Sequence, residues 1–204
     1  AQVCERHDLL IISDEIHHDL IFPGQSFTPF PVAVPEAAAR TLVLTAASKT
    51  FNIAGARLGT VTIPDAGLRP RFQAALEAHQ VQPNLLGIEL TRAAYSPAGA
   101  TWVNALMDYL AGNARLFLEG VADIPGLSAM PMQSTYLAWV DFAGTGMEMA
   151  EVLGRIHGQA RIAPSRGVDF GTGGETCLRF NLGTARQRLR EAIERLQGAF
   201  SDLQ

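Results

Sequence analysis

The chain has 204 residues, 48% hydrophobic and 18% charged, with a formal net charge of −4. That balance belongs to one or two folded domains, not to a disordered segment, and it argues against a broad nucleic-acid footprint. No apolar run in the sequence approaches the roughly 20 residues that a membrane span needs. Residues 1–7 read as the tail of an amphipathic helix that runs into a strand. The first residue is Ala and no signal-peptide pattern precedes the strand, so the expectation is the C-terminal portion of something longer. Cys4 and Cys177 lack CxxC spacing, which argues against a disulfide framework or zinc site and fits a reducing cytoplasm.

Residues 9–12 are all apolar, the pattern of a strand buried on both faces of a parallel sheet. Pro23, Gly24, Pro29, Pro31 and Pro35 make 22–35 a long ordered loop, with a short helix following at 36–40. Residues 41–45, Thr-Leu-Val-Leu-Thr, predict a second buried strand running into a turn at Ser48-Lys49-Thr50. A third strand is predicted at 60–63, closed by Pro64, with helices at 68–80 and 85–95. Trp102, Leu106, Leu110, Phe117 and Val121 recur at helical spacing in a long helix over 98–121, which Pro125-Gly126 ends. The remainder reads as a strand at 136–142, a helix at 147–157, a strand at 177–182 and a closing helix at 184–200. Thr184 and Gln187 fit a capping box at the start of that last helix. The expected organisation is α/β: part of a large domain over 1–98, a connecting helix over 99–122 and a small α+β domain over 123–204.

The 16 basic side chains comprise 15 Arg and a single Lys, Lys49. Arg and Lys exchange easily as solvated charges but not in covalent amine chemistry, so the retained amine is singled out. Asp14 follows the first strand and Lys49 the second. If those strands are parallel neighbours, both side chains emerge at the carboxyl edge of the sheet, where open α/β sheets bind ligands. An amine and a carboxylate at one edge suit Schiff-base chemistry on a pyridine cofactor, whose ring nitrogen needs an acidic partner. Arg57, eight residues beyond Lys49, can bring a permanent charge to a phosphate. Blander readings stand beside these: a lysine at a strand end is commonly surface, and Asp14-Glu15 after a strand is commonly a solvated turn. His17-His18 with Asp14 and Asp19 lacks the His-x-x-x-His spacing of a metal site, so no metal is expected. Gly171-Thr172-Gly173-Gly174 does not open a helix after a strand, so it reads as a flexible loop, not a phosphate cradle.

Ser13-Asp14-Glu15-Ile16-His17-His18-Asp19-Leu20 and Ser48-Lys49-Thr50-Phe51-Asn52-Ile53-Ala54-Gly55 resemble the fold-type I pyridoxal-phosphate enzymes. Within them the chain is similar to the cysteine-S-conjugate and cystathionine β-lyases that sit among the class I/II aminotransferases. Ser134-Thr135-Tyr136-Leu137-Ala138-Trp139 and Leu178-Arg179-Phe180-Asn181 agree in order and spacing, so the resemblance runs the length of the chain. It implies an aspartate aminotransferase-like fold and pyridoxal 5'-phosphate as cofactor. Lys49 would hold that cofactor covalently and move the substrate's Cα proton. Asp14 would pair with the ring nitrogen, His17 would hydrogen-bond the ring oxygen, and Arg57 would bind the phosphate. Ser48 or Thr45 would add a phosphate contact. Arg179 would clamp the substrate α-carboxylate. The implied reaction is α,β-elimination to a thiol, pyruvate and ammonia, on a small amino-acid substrate, in a cytoplasmic homodimer. Arg57 also matches many aminotransferases, which makes transamination the first rival; an aminotransferase-like sensing domain of a transcription regulator is the second. The family's phosphate loop and ring-stacking aromatic precede the Asp strand, so these 204 residues alone are expected to bind cofactor weakly and to be inactive.

Overall fold

Two sheets organise the chain, one in each of two units, Ala1–Leu106 and Met107–Gln204. The structure, a computed structural model, describes residues 1–203. The first unit begins with α1 (Gln2–Arg6) and β1 (Ile11–Asp14). A proline-rich stretch with α2 (Phe30–Ala33) and a 3-10 turn (Pro35–Arg40) leads to β2 (Thr41–Thr45) and the short α3 (Ala47–Thr50). Then come β3 (Thr60–Thr62), α4 (Leu68–Ala78) and α5 (Leu85–Ala94). The sheet order is β1-β2-β3, with β1 parallel and β3 antiparallel to β2. β2 is central, and its first three residues are buried. Its Leu42 packs with Ile63 and Leu68, and Val61 and Phe72 close over them. Thr41 is fully buried, and its Oγ1 satisfies itself by donating to the Ala37 carbonyl at 2.8 Å.

The first strand departs from the expectation raised by the apolar run at 9–12. It starts at Ile11 and is not buried on both faces: Leu9, Leu10 and Ile12 are 48%, 53% and 69% exposed. Among the described residues β1 pairs with β2 alone, so its far edge and the Ile12 face lack cover. The third strand and the two helices that follow fall within two residues of their predicted limits. Asn84 fixes where α5 begins: its Oδ1 accepts from Gly87 N at 2.7 Å while its Nδ2 donates to the Ala56 carbonyl at 2.8 Å.

The 26-residue α6 (Pro97–Ala122) crosses the division between the units, which falls at Leu106/Met107. The second unit continues with β4 (Ser128–Ala129), β5 (Leu137–Asp141) and α7 (Met149–Gly154), which passes into a π-helical turn (Arg155–Ala160). β6 (Ser165–Arg166), a 3-10 turn (Gly167–Phe170), β7 (Cys177–Asn181) and α8 (Arg186–Ala199) complete it. All pairings in the order β4-β5-β7-β6 are antiparallel. Alternation sets the faces. Ala138, Val140, Leu178 and Phe180 are buried, while Trp139 and Arg179 lie half-buried on the opposite face. Phe117 of α6 meets Phe180 at 5.3 Å between ring centroids, and Leu189, Ile193 and Leu196 of α8 are buried.

The capping box expected at Thr184 and Gln187 does not form. α8 starts at Arg186, with Ala185 at the N-cap and no side-chain cap. Two residues of α6, Tyr109 and Asn113, hold this end of α8 instead. Arg186 N donates to the Tyr109 hydroxyl at 2.6 Å, and fully buried Asn113 donates to the Leu182 and Thr184 carbonyls while accepting from Arg186 Nε. Gln187 instead bonds Glu191, one turn further along α8.

Candidate functional site

The parallel register pairs Ser13 with Val43 and Asp14 with Leu44. Asp14 therefore ends β1 beside the carboxyl end of β2, and the chain leaves β2 through Ala46 into α3, where Lys49 occupies the last turn. Both groups stand at the carboxyl edge of a parallel pair, the condition that the spacing argument required.

A cleft of about 540 Å³ opens at that edge, lined by Asp14, Thr45, Ser48 and Arg57 and walled further on by Leu44 and Phe72. It holds the Asp14 carboxylate, the hydroxyls of Thr45, Ser48 and Thr60, and the Arg57 guanidinium. Arg57 takes left-handed backbone angles (φ 47°, ψ 47°) at the end of a 3-10 turn (Ala54–Ala56). It is exposed and, among the described residues, forms no ion pair. Thr45 and Ser48, between which the sequence left the choice open, both line the cleft. Lys49 and His17 are half-buried and do not line it, although Lys49 directly follows Ser48. Arg179 belongs to the second unit.

The Asp14-Glu15 pair does not behave as a uniformly solvated turn. Asp14 is exposed and its Oδ1 accepts from Ile16 N at 3.2 Å. Glu15 is 7% exposed, and its Oε1 accepts from Ser13 Oγ at 3.0 Å and from Phe30 N at 2.8 Å, anchoring the proline-rich loop. Sequence reasoning missed this anchor, because a carboxylate after a strand carries no mark of where a loop 15 residues on will return.

It also missed the role of Asp19. Its Oδ2 accepts from Thr50 Oγ1 at 3.1 Å and from the Tyr95 hydroxyl at 3.3 Å, and its Oδ1 lies 3.1 Å from His18 Nε2. Asp19 thus holds α3 through Thr50, the residue after Lys49. Beyond the end of α3, Phe51 stacks on Trp102 at 5.8 Å and meets Tyr95 edge-on at 5.6 Å. Burial, the Asp19 charge and the Asp19 hydrogen bond together push the Tyr95 hydroxyl up to about 12.

In the second unit, Arg179 lies between Trp139 of β5 and Ser165 of β6 in cross-strand register. Its guanidinium carbon sits 4.1 Å from the centroid of the Phe170 ring, and Nη2 donates to Ser165 Oγ at 3.5 Å. Burial raises the nearby Tyr136 hydroxyl, and the Arg179 charge opposes that rise. The fork of Arg179 forms no ion pair among the described residues.

The family model for aminotransferase class I and II matches residues 1–196. The chain belongs to that family. Cystathionine beta-lyase PatB of Bacillus subtilis is 32% identical over 98% of this chain and 52% of its own length. Protein MalY of Escherichia coli is 31% identical over 98% and 51%. The crystal structure of cystalysin from Treponema denticola, which contains a pyridoxal 5'-phosphate cofactor, superposes with a TM-score of 0.91 at 32% identity, covering 100% of this chain and 52% of that one. The chain spans about half the length of the relatives it matches. As an aminotransferase class I and II chain it carries part of the family's α/β fold.

Proposed function

We propose that the protein is a pyridoxal-phosphate-dependent carbon–sulfur lyase that splits cysteine-S-conjugates such as cystathionine into a thiol, pyruvate and ammonia. The observation that carries this reading is the meeting of Asp14, Ser48 and Arg57 in one cleft, with Lys49 adjoining, in a chain 32% identical to a cystathionine β-lyase. The donor set fits the cofactor: a carboxylate for a ring nitrogen, and hydroxyls with a guanidinium for a phosphate. On this reading residues 1–98 supply part of a cofactor-binding domain, 99–122 a connecting helix and 123–204 a small domain.

The bound cofactor supplies an electron sink for the pair released when the Cα–H bond breaks. The chain's own groups do the rest. Lys49 Nζ takes the Cα proton and returns it when the product needs one. The Asp14 carboxylate keeps a proton on the ring nitrogen, and His17 and Arg57 fix the ring oxygen and the phosphate. Arg179 grips the α-carboxylate in a two-pronged fork, which orients the Cα–H bond for removal. The sulfur leaves Cβ as thiolate, and hydrolysis of the remaining enamine gives pyruvate and ammonia. The substrate is a small amino acid, and the working form is a cytoplasmic homodimer.

Arg57 at its position eight after Lys49 favours a second reading, transamination, in which a keto acid accepts the amino group. One assay separates the two. Incubated with cystathionine and no keto acid, the full-length holoenzyme releases pyruvate if it is a lyase; turnover that demands a keto acid establishes the transaminase. Lys49→Arg keeps the charge but loses the visible absorbance of the covalently held cofactor and lowers turnover by roughly 10²- to 10⁴-fold or more.

A further inference from the structure

Phe170 is a large aromatic residue outside the core, 50% exposed, at the end of the turn Gly167–Phe170. Its ring nevertheless has two defined neighbours. The Arg179 guanidinium carbon lies 4.1 Å from the ring centroid, and the Trp139 ring meets it edge-on at 5.7 Å and 73°. The backbone that carries it is built to hold it there. A Cβ on Gly167 would fall 2.2 Å from the Gly174 carbonyl oxygen and 2.6 Å from that of Cys177, so only glycine lets this turn lie against the loop entering β7. Gly171, immediately after Phe170, takes φ +115°, a conformation that L side chains rarely adopt. The glycine-rich run that resembled a loose loop in the sequence is what seats this ring.

The geometry points to Phe170 as a positioning residue for the carboxylate-binding fork of Arg179. This rests on the reading of Arg179 as the group that binds the substrate α-carboxylate. A guanidinium is planar and its five N–H donors lie in that plane. A partner that held Arg179 by its edge with a carboxylate would use up the donors and cancel the charge. An aromatic ring against the guanidinium restrains it through cation–π attraction while leaving both the in-plane donors and the charge for an incoming anion. Ser165 Oγ takes a single long N–H contact at 3.5 Å, and Trp139 buttresses the ring edge-on. The arrangement preorganises one rotamer of a flexible side chain, so its loss is felt by ligands that carry a carboxylate and not by those that lack one.

The test uses the full-length holoenzyme and two probes, L-alanine and L-alaninamide, whose binding is followed through the cofactor's absorbance. Both probes bind whichever reaction the enzyme runs, so failure of the lyase reading leaves this test intact. Phe170→Leu keeps an apolar side chain and removes the π face. It is expected to weaken L-alanine by roughly 2- to 30-fold and to leave L-alaninamide within about twofold. In turnover the same factor enters KM with kcat little changed. Phe170→Tyr restores wild-type values, and Phe170→Met, a second variant without a π face, repeats the Leu result. Equal weakening of acid and amide, a loss confined to kcat, or no rescue by Tyr overturns the inference. Arg179→Gln separates it from its premise. If Arg179→Gln does not weaken L-alanine, Arg179 is not the carboxylate site; if it does and Phe170→Leu does not, only the role of Phe170 falls.

Discussion

Asp14 and Glu15 are adjacent carboxylates with opposite surroundings. Asp14 is left exposed at the cleft, whereas Glu15 is buried and accepts two hydrogen bonds. Glu15→Ala leaves the Phe30 N–H without its partner, and it is expected to cost about 1–3 kcal/mol in urea denaturation, while Glu15→Gln keeps an acceptor oxygen and costs less. The Asp19 network makes its own prediction. Tyr95 is raised from 10.0 to about 12, with burial first among the causes and Asp19 next. A raised folded-state value favours the neutral phenol, so this contribution to stability is intact below pH 10 and fades as pH rises toward about 12. A phenolate absorbance titration, with Tyr95→Phe to assign the signal, is expected to show this late midpoint. Asp19→Asn lowers it only part of the way, because burial remains. Neither carboxylate's environment was legible in the sequence, since spacing reports which face a residue shares and not what returns to meet it.

Periodicity carried the elements that have room to repeat. β2 spans the five residues its composition announced, and α4, α5, α6 and α8 fall within two residues of their expected limits. β4 and β6 have two residues each, too few for any alternation to show, and neither was foreseen. The helix expected at 147–157 divides into α7 and the π-helical turn, which ends at Arg161 in a left-handed conformation. Glycines separate two kinds of element position. A Cβ at Gly167 would meet backbone oxygens, so Gly167→Ala is expected to destabilise by about 1–3 kcal/mol or more. Gly154 has helical angles (φ −59°, ψ −44°) and nothing within 4 Å of where an added methyl group would sit, so Gly154→Ala is expected to stabilise by about 0.5–1 kcal/mol. Parallel denaturant titrations of the two variants check both signs.

For the molecule as a whole, β1 presents an edge unpaired among the described residues, with Leu9, Leu10 and Ile12 exposed beside it, and such an edge is a template for pairing with another strand. These 204 residues expressed alone are expected to self-associate in sedimentation, and Ile12→Lys on the exposed face is expected to reduce that association. The sequence by itself determined the available chemistry: a single amine, a carboxylate at the preceding strand end, an arginine eight residues on, and short motifs whose order and spacing pointed to the family. Those are local patterns, each written within a few neighbouring residues. The tertiary structure alone decided which groups meet. It joined Thr50 and Tyr95, 31 and 76 positions from Asp19, on one carboxylate, and it set Phe170 against Arg179. No period or spacing encodes such contacts, because they depend on how separate elements pack and on where glycine lets two backbones touch.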